Sequence, residues 1–222
     1  MTSILENLSS LTINRITQNL RPNLVPRKTL LTHDILKGKG FYNGKIMMCT
    51  SYKKQGKYVI ADCTGFDFFD LLLCRFDKKP FPLVVSTNGI IEVGDNGFIL
   101  MERDRSVYSY KFYWDFPAGL VPFDRNPLDR LTERIRDEIG IDKEHLKPNP
   151  NPIFIEIQKE PFGYFFAIYY HYKCNLSKLE VKKLFKKNSN IKKIILNKNS
   201  VNEFLSKKKK IYPRNILRKL ST

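Results

Sequence analysis

Residues 114–141 read WDFPAGLVPFDRNPLDRLTERIRDEIGI, and the rest of the chain is organised around them. The stretch predicts a short strand, a Gly turn, a loop, one helix and a Gly stop. Asn126 is suited to cap the helix, and Pro127 fits its first turn. Leu128, Leu131, Ile135 and Ile139 recur at three- and four-residue spacing and form one apolar face. Gly140 then ends the helix. On the other side Arg134, Asp137 and Glu138 stand at i, i+3 and i+4 and share a face. Two adjacent carboxylates at the end of a helix that follows a Gly loop suit a hard divalent cation and a diphosphate.

Downstream of this stretch, Ile153 to Ile157 and Tyr164 to Tyr172 read as strands, the latter almost wholly apolar and therefore central. Leu176 to Lys187 and Val201 to Lys210 read as helices, Lys192 to Leu196 as a strand, and Pro213 as the start of a last basic helix. Upstream, Leu83 to Val93 reads as a strand with a break at Asn88-Gly89. A Gly-Asp-Asn-Gly turn at 94–97 leads into a strand at Phe98 to Glu102 and another at Tyr110 to Phe116. Further back, 43–51 and 57–63 form a hairpin around the turn at 53–56, and Phe66 to Phe76 a short helix. Ile4, Leu5, Leu8, Leu11, Ile13, Ile16 and Leu20 fit one amphipathic helix, which Pro22 and Pro26 end. The expected architecture is α/β (α+β), layered as an α/β/α sandwich with a mixed sheet. A small β-rich N-terminal domain is expected over 1–80 and the main domain over 81–222.

At 222 residues with 42% hydrophobic and 13% aromatic content, the chain can bury a real core. No apolar run approaches the roughly 20 residues that span a membrane, and no signal peptide is seen. An intracellular location, cytoplasmic or nuclear, is the expectation. Cys49, Cys63, Cys74 and Cys174 include no C-x-x-C pair and are expected as buried free thiols. The net charge is +17, and from Lys173 onward 14 Lys, 2 Arg and 2 acidic residues give +14. That basic region fits either a polyanionic partner such as RNA or a lysine-rich solvated surface.

The stretch from Gly119 to Ile141 resembles the Nudix box, Gly-x5-Glu-x7-Arg-Glu-U-x-Glu-Glu-x-Gly-U, where U is a bulky aliphatic residue. Gly119 and Gly140 take the outer glycines, Ile135 and Ile141 the aliphatic positions, and Asp137-Glu138 the acidic pair. Phe-Pro-Ala-Gly at 116–119 is similar to the Pro-Gly-Gly that opens the box. The pattern departs at Arg125, which replaces the early Glu, and at Glu133-Arg134, which reverses the Arg-Glu pair. A cation thus stands where a metal ligand is expected, and Arg134 can pair with Glu138 four residues on. Asp129, Glu133 and Asp137 make an alternative acidic stripe.

The resemblance implies a Nudix-type hydrolase that cleaves the pyrophosphate of a nucleoside diphosphate-linked small molecule. It implies Mg²⁺ or Mn²⁺ held by Glu138, Asp137, Glu133 and the Gly119 carbonyl, lowering the pKa of an attacking water. Arg103 and Arg105 stand where family members carry a substrate-facing Arg, and with Arg134 are the candidates to grip phosphate. Equally, Arg103 and Arg105 are a surface cluster pairing with Glu102 and Asp104. Glu160, in an expected loop, or Glu156 would supply a late carboxylate. Ala-Asp-Cys-Thr-Gly-Phe-Asp-Phe-Phe at 61–69 is similar to the branch that hydrolyses UDP-glucose and UDP-galactose, which implies a UDP-sugar. The alternatives are a catalytically degenerate fold that binds nucleotide or RNA, and an RNA-cap hydrolase. Trp114 and Phe116 are expected to pack the core.

Overall fold

The computed structural model describes residues 3–6, 8–17, 44–76, 78–81, 83–103, 112–160, 163–187 and 191–221. In chain order its strands and helices are β1 (Ser3–Glu6), β2 (Ser10–Arg15), β3 (Lys45–Gln55), β4 (Tyr58–Asp67), α1 (Phe68–Phe76), β5 (Leu83–Val93), β6 (Gly97–Glu102), β7 (Trp114–Asp115), β8 (Ala118–Leu120) and α2 (Pro127–Ile139). They continue with β9 (Leu146–Pro148), β10 (Phe154–Glu160), β11 (Gly163–Cys174), α3 (Lys178–Lys187), β12 (Lys193–Asn197), α4 (Val201–Lys207) and α5 (Arg214–Ser221). This is the expected mixed α+β class, with parallel and antiparallel pairing. No described helix is long and apolar enough to cross a membrane.

The chain divides into two compact units. The first comprises Met1–Ser86, Leu120–Pro127 and Asn151–Ile168. Its frame is the β3–β4 hairpin, turning at Gly56 and Lys57, with a bulge between Cys49 and Ser51. The alternation of Leu11 and Ile13 with Ser10, Thr12 and Asn14 suits a strand, and β2 runs parallel to β4, Ser10 opposite Tyr58. This corrects the expected N-terminal helix: 3–6 and 10–15 are strands, and β1 pairs with β10. The Asp67 carboxylate accepts the Phe69 N–H at 3.0 Å and caps α1. Ile46, Met48, Phe66, Leu71, Cys74, Phe81, Val84 and Phe165 pack together as this unit's core. The Arg75 guanidinium lies 5.2 Å from the Phe81 ring centroid and 5.4 Å from that of Phe165.

Gly163 lets the backbone approach Phe81 closely. A Cβ there would stand 2.5 Å from two atoms of the Phe81 ring. Gly163→Ala is therefore expected to destabilise the protein by about 1–3 kcal/mol. Urea unfolding checks this, and adding Phe81→Leu is expected to recover part of the loss.

The second unit comprises Thr87–Gly119, Leu128–Pro150 and Tyr169–Thr222. Here β6 pairs antiparallel with β12, with β7 and with the end of β5. Asn88-Gly89 does not break β5. Instead Gly89 admits α2: a Cβ there would meet Ile135 Cδ1 at 3.2 Å and Leu131 Cδ1 at 3.5 Å. Leu131, Ile135 and Ile139 are fully buried, as the apolar period requires. Gly140 closes the helix at φ +84°, its N–H donating to the Arg136 carbonyl at 2.9 Å. Trp114 and Phe116 are buried, Trp114 edge-on to Phe204 and Phe116 edge-on to Tyr169. Of the expected strand 110–116 only Trp114–Asp115 is one; Tyr110 and Lys111 lie outside the described residues. All four cysteines are free and buried.

Candidate phosphate site on helix α2

Helix α2 presents Arg134 and Glu138 to Ala118 and Gly119 within the second unit, residues of strand β8 and not of the expected Gly turn. Glu138 is the focus, its side chain only 16% exposed. Arg134, one turn earlier, pairs with its carboxylate, the contact expected at i, i+4. The Ala118 N–H donates to the same carboxylate, and the Arg103 charge acts on it as well. Burial nevertheless dominates and pushes the Glu138 carboxyl above the usual range, against the pull of Arg134 and Arg103. Arg134 lies across Gly119: a Cβ there would stand 3.3 Å from Arg134 Cγ and Nε. The Arg134 Nε–H is buried there and has no acceptor, a cost of roughly 1–3 kcal/mol for an unmet donor.

Two further groups complete the cluster. Arg103 Nη1 donates to the Asp115 carboxylate at 3.1 Å, and its guanidinium lies 5.8 Å from the Tyr212 ring centroid. Asp115 is fixed in turn by the Phe116 N–H at 2.8 Å. Lys193, opposite Met101 in the β6–β12 register, carries an ammonium held below its usual range by desolvation and partly restored by Glu138. Neither Lys193 nor Asp115 was expected. The signal is pairing with β6: Lys193 comes from a strand some 90 residues on, which local sequence does not carry, and Asp115 from β7, which places it opposite Met101.

The other expected site residues fall elsewhere. Asp137 turns to Arg136 at 3.3 Å and is half exposed, and Glu133 takes Arg130 at 3.1 Å. Arg105 lies outside the described residues. Glu160 is the last residue of β10 and not in a loop, and it belongs to the first unit. Glu156 is buried in the same strand and accepts from Gln158 Nε2 at 2.7 Å. Arg125 is likewise in the first unit, its carbonyl accepting from Arg15 at 3.1 Å.

A hard divalent cation needs several oxygen ligands together and its competitors kept away. Glu138 instead stands among the charges of Arg134, Arg103 and Lys193. Among the described residues no three His, Cys, Asp or Glu side chains gather. As arranged, these side chains do not fit Mg²⁺ or Mn²⁺. Three cations against the two largely buried carboxylates of Glu138 and Asp115 leave an excess positive charge that suits an anion with several oxygens.

The chain is similar in structure to DR0079 from Deinococcus radiodurans, at 11% identity over 79% of this chain and 99% of that one, with a TM-score of 0.50. The two share a fold. Weaker likenesses include the MutT protein of Methanosarcina mazei Go1, 16% identical over 64% of this chain and 94% of that one at TM-score 0.46. A NUDIX-family hydrolase from Clostridium perfringens is 12% identical over 64% of this chain and 95% of that one at TM-score 0.45. At such identities a likeness concerns the fold alone. No family model and no curated protein matches the chain.

The burial of Glu138 has a consequence for stability. Its ordinary value is 4.5, and the folded value lies above it. The folded state therefore favours the protonated form. The group's favourable contribution is complete below about pH 4.5 and is lost as pH rises through the folded value. Glu138→Gln removes that dependence. Urea titrations should show the parent gaining on the variant as pH falls from 7 to 4.

Proposed function

We propose that the α2 site binds the phosphates of a nucleoside diphosphate derivative directly, through Arg103, Arg134 and Lys193, with no bridging divalent cation. The observation that carries this is Arg134 lying across Gly119 and paired with Glu138. It puts a guanidinium beside Gly119, where the Nudix resemblance asks for a metal. The fold is then a catalytically degenerate Nudix-like scaffold, and the resemblance at 61–69 favours UDP-sugars as the first ligands to try. Arginine and lysine complement a diphosphate through charge-assisted hydrogen bonds, worth more than neutral ones. Bound phosphate raises the Glu138 pKa further, so affinity increases as pH falls toward 5. The test is thermal stabilisation by UDP-glucose, ADP-ribose and ADP in EDTA. A shift in EDTA that is lost in Arg134→Ala supports direct binding; no shift without Mg²⁺ refutes it.

A second function is favoured by the unbroken spacing from Gly119 to Gly140 and the left-handed Gly140 that closes the helix. It is a divalent-metal-dependent pyrophosphohydrolase, with Glu138, Asp137, Glu133 and the Gly119 carbonyl as ligands. It requires Arg134 to leave Glu138. Turnover with Mg²⁺ or Mn²⁺ on UDP-sugars, ADP-ribose, dinucleoside polyphosphates or capped RNA, abolished by Glu138→Gln, would establish it. RNA as a partner of the basic C-terminal region belongs to the same panel.

A further inference from the structure

The β3–β4 ribbon ends in an exposed tip. All nine residues from Thr50 to Tyr58 are exposed, on both faces. Its core ends at Cys49 and Val59, which are buried. Among the described residues β5 flanks β3 only at Met48 and Cys49, and β2 reaches β4 no further than Ser10 opposite Tyr58. The Ser9 N–H also donates to the Lys57 carbonyl at 2.8 Å, so among the described residues the unflanked side of the ribbon is β3 from Thr50 to Gln55. The ribbon turns at Gly56 with φ +60° and open space around it.

The tip reads Tyr-Lys-Lys-Gln-Gly-Lys-Tyr over 52–58, with three lysines and no acid. Tyr58 is 58% exposed and Tyr52 40%. Residues opposite one another in a ladder share a face. Tyr58 lies opposite Gln55, and Lys53 opposite Ile60, so Tyr58, Gln55 and Lys53 share the outer face. Tyr52 and Lys54 take the other face, where the Tyr52 ring sits 5.5 Å from that of Phe166 and Lys54 reaches the Glu6 carbonyl at 3.5 Å. The acid nearest along β4 is Asp62, four residues from Tyr58 and held by Asn14 and Ser51. The tip therefore combines a largely uncovered phenol ring with cations on both faces and at the turn. Aromatic faces stack bases while lysines neutralise phosphates, the two terms of single-strand binding. An acidic polypeptide would use the lysines and leave the ring idle.

We infer that the ribbon tip from Tyr52 to Tyr58 is a contact surface for single-stranded nucleic acid, with Tyr58 stacking a base and Lys53, Lys54 and Lys57 on the phosphates. This stands independently of the α2 site. The experiment is fluorescence anisotropy of a labelled oligouridine 12-mer with the full chain, from 50 to 200 mM salt. Tyr58→Ala is expected to weaken binding roughly 5- to 150-fold, and Tyr58→Phe, which keeps the ring, to retain it. Replacing Lys53, Lys54 and Lys57 together by Gln is expected to flatten the log–log salt slope by about 2, from roughly 0.7 per phosphate. The replaced side chains are exposed, so the fold is retained. Binding that is absent, or unchanged in both variants, overturns the inference. So does equal affinity for polyglutamate or for phosphatidylserine vesicles.

Discussion

Arg134→Glu is expected to invert the ligand preference of the α2 site. Affinity for a nucleoside diphosphate in EDTA should fall about 10- to 150-fold, the equivalent of one charge-assisted hydrogen bond of roughly 1.5–3 kcal/mol. Mn²⁺ binding should appear in its place. Arg134 covers Gly119 and neutralises Glu138. A carboxylate there would sit one turn from Glu138, beside Glu133, and would open the space beside Gly119 to an oxygen-ligated cation. Calorimetric titration with Mn²⁺ and, separately, with UDP-glucose in EDTA reads both effects. A variant that keeps its nucleotide affinity in EDTA and gains no metal would remove Arg134 from the site.

Ile135→Ala should be among the most damaging core changes. Ile135 is fully buried and its Cδ1 rests where Gly89 leaves room in β5. Losing three buried carbons in a packed interior costs about 2–5 kcal/mol. For a chain of this size that is a fall in Tm of roughly 4–20 °C. Helix α2 carries Arg134 and Glu138, so nucleotide binding should weaken together with stability. Ile135→Val, which leaves less of a void, should cost about 0.5–1.5 kcal/mol. Gly89→Ala, crowded by the same Cδ1, should be better tolerated in the Val background. Thermal melts of the parent and the four variants decide it, and a loss below 1 kcal/mol for Ile135→Ala would contradict the packing described.

Helix α2 was legible residue by residue because its determinants are local. Pro127 starts it, the Leu131–Ile135–Ile139 period buries it, and Gly140 takes the left-handed conformation that ends it. The N-terminal segment was not. Ile4, Leu5, Leu8 and Leu11 satisfy a helical spacing, whereas Leu11 and Ile13 also alternate. The choice is made by β4 and β10, strands far along the chain. The site divides in the same way. The Arg134–Glu138 pair follows from one helix turn, while Lys193 arrives through β12 and Asp115 through β7, both paired with β6. The acidic pair is divided by the helix itself: adjacent residues on a helix point about 100° apart. Asp137 therefore turns outward to Arg136 while Glu138 turns inward to Arg134.

Calorimetric titration of the full chain with UDP-glucose and ADP-ribose, first in EDTA and then in excess Mg²⁺, tests direct phosphate recognition most plainly. The same affinity in both buffers, tightening as pH falls from 7 to 5, is the expected result. Binding that appears only with Mg²⁺, or turnover of the ligand once Mg²⁺ is added, would contradict it.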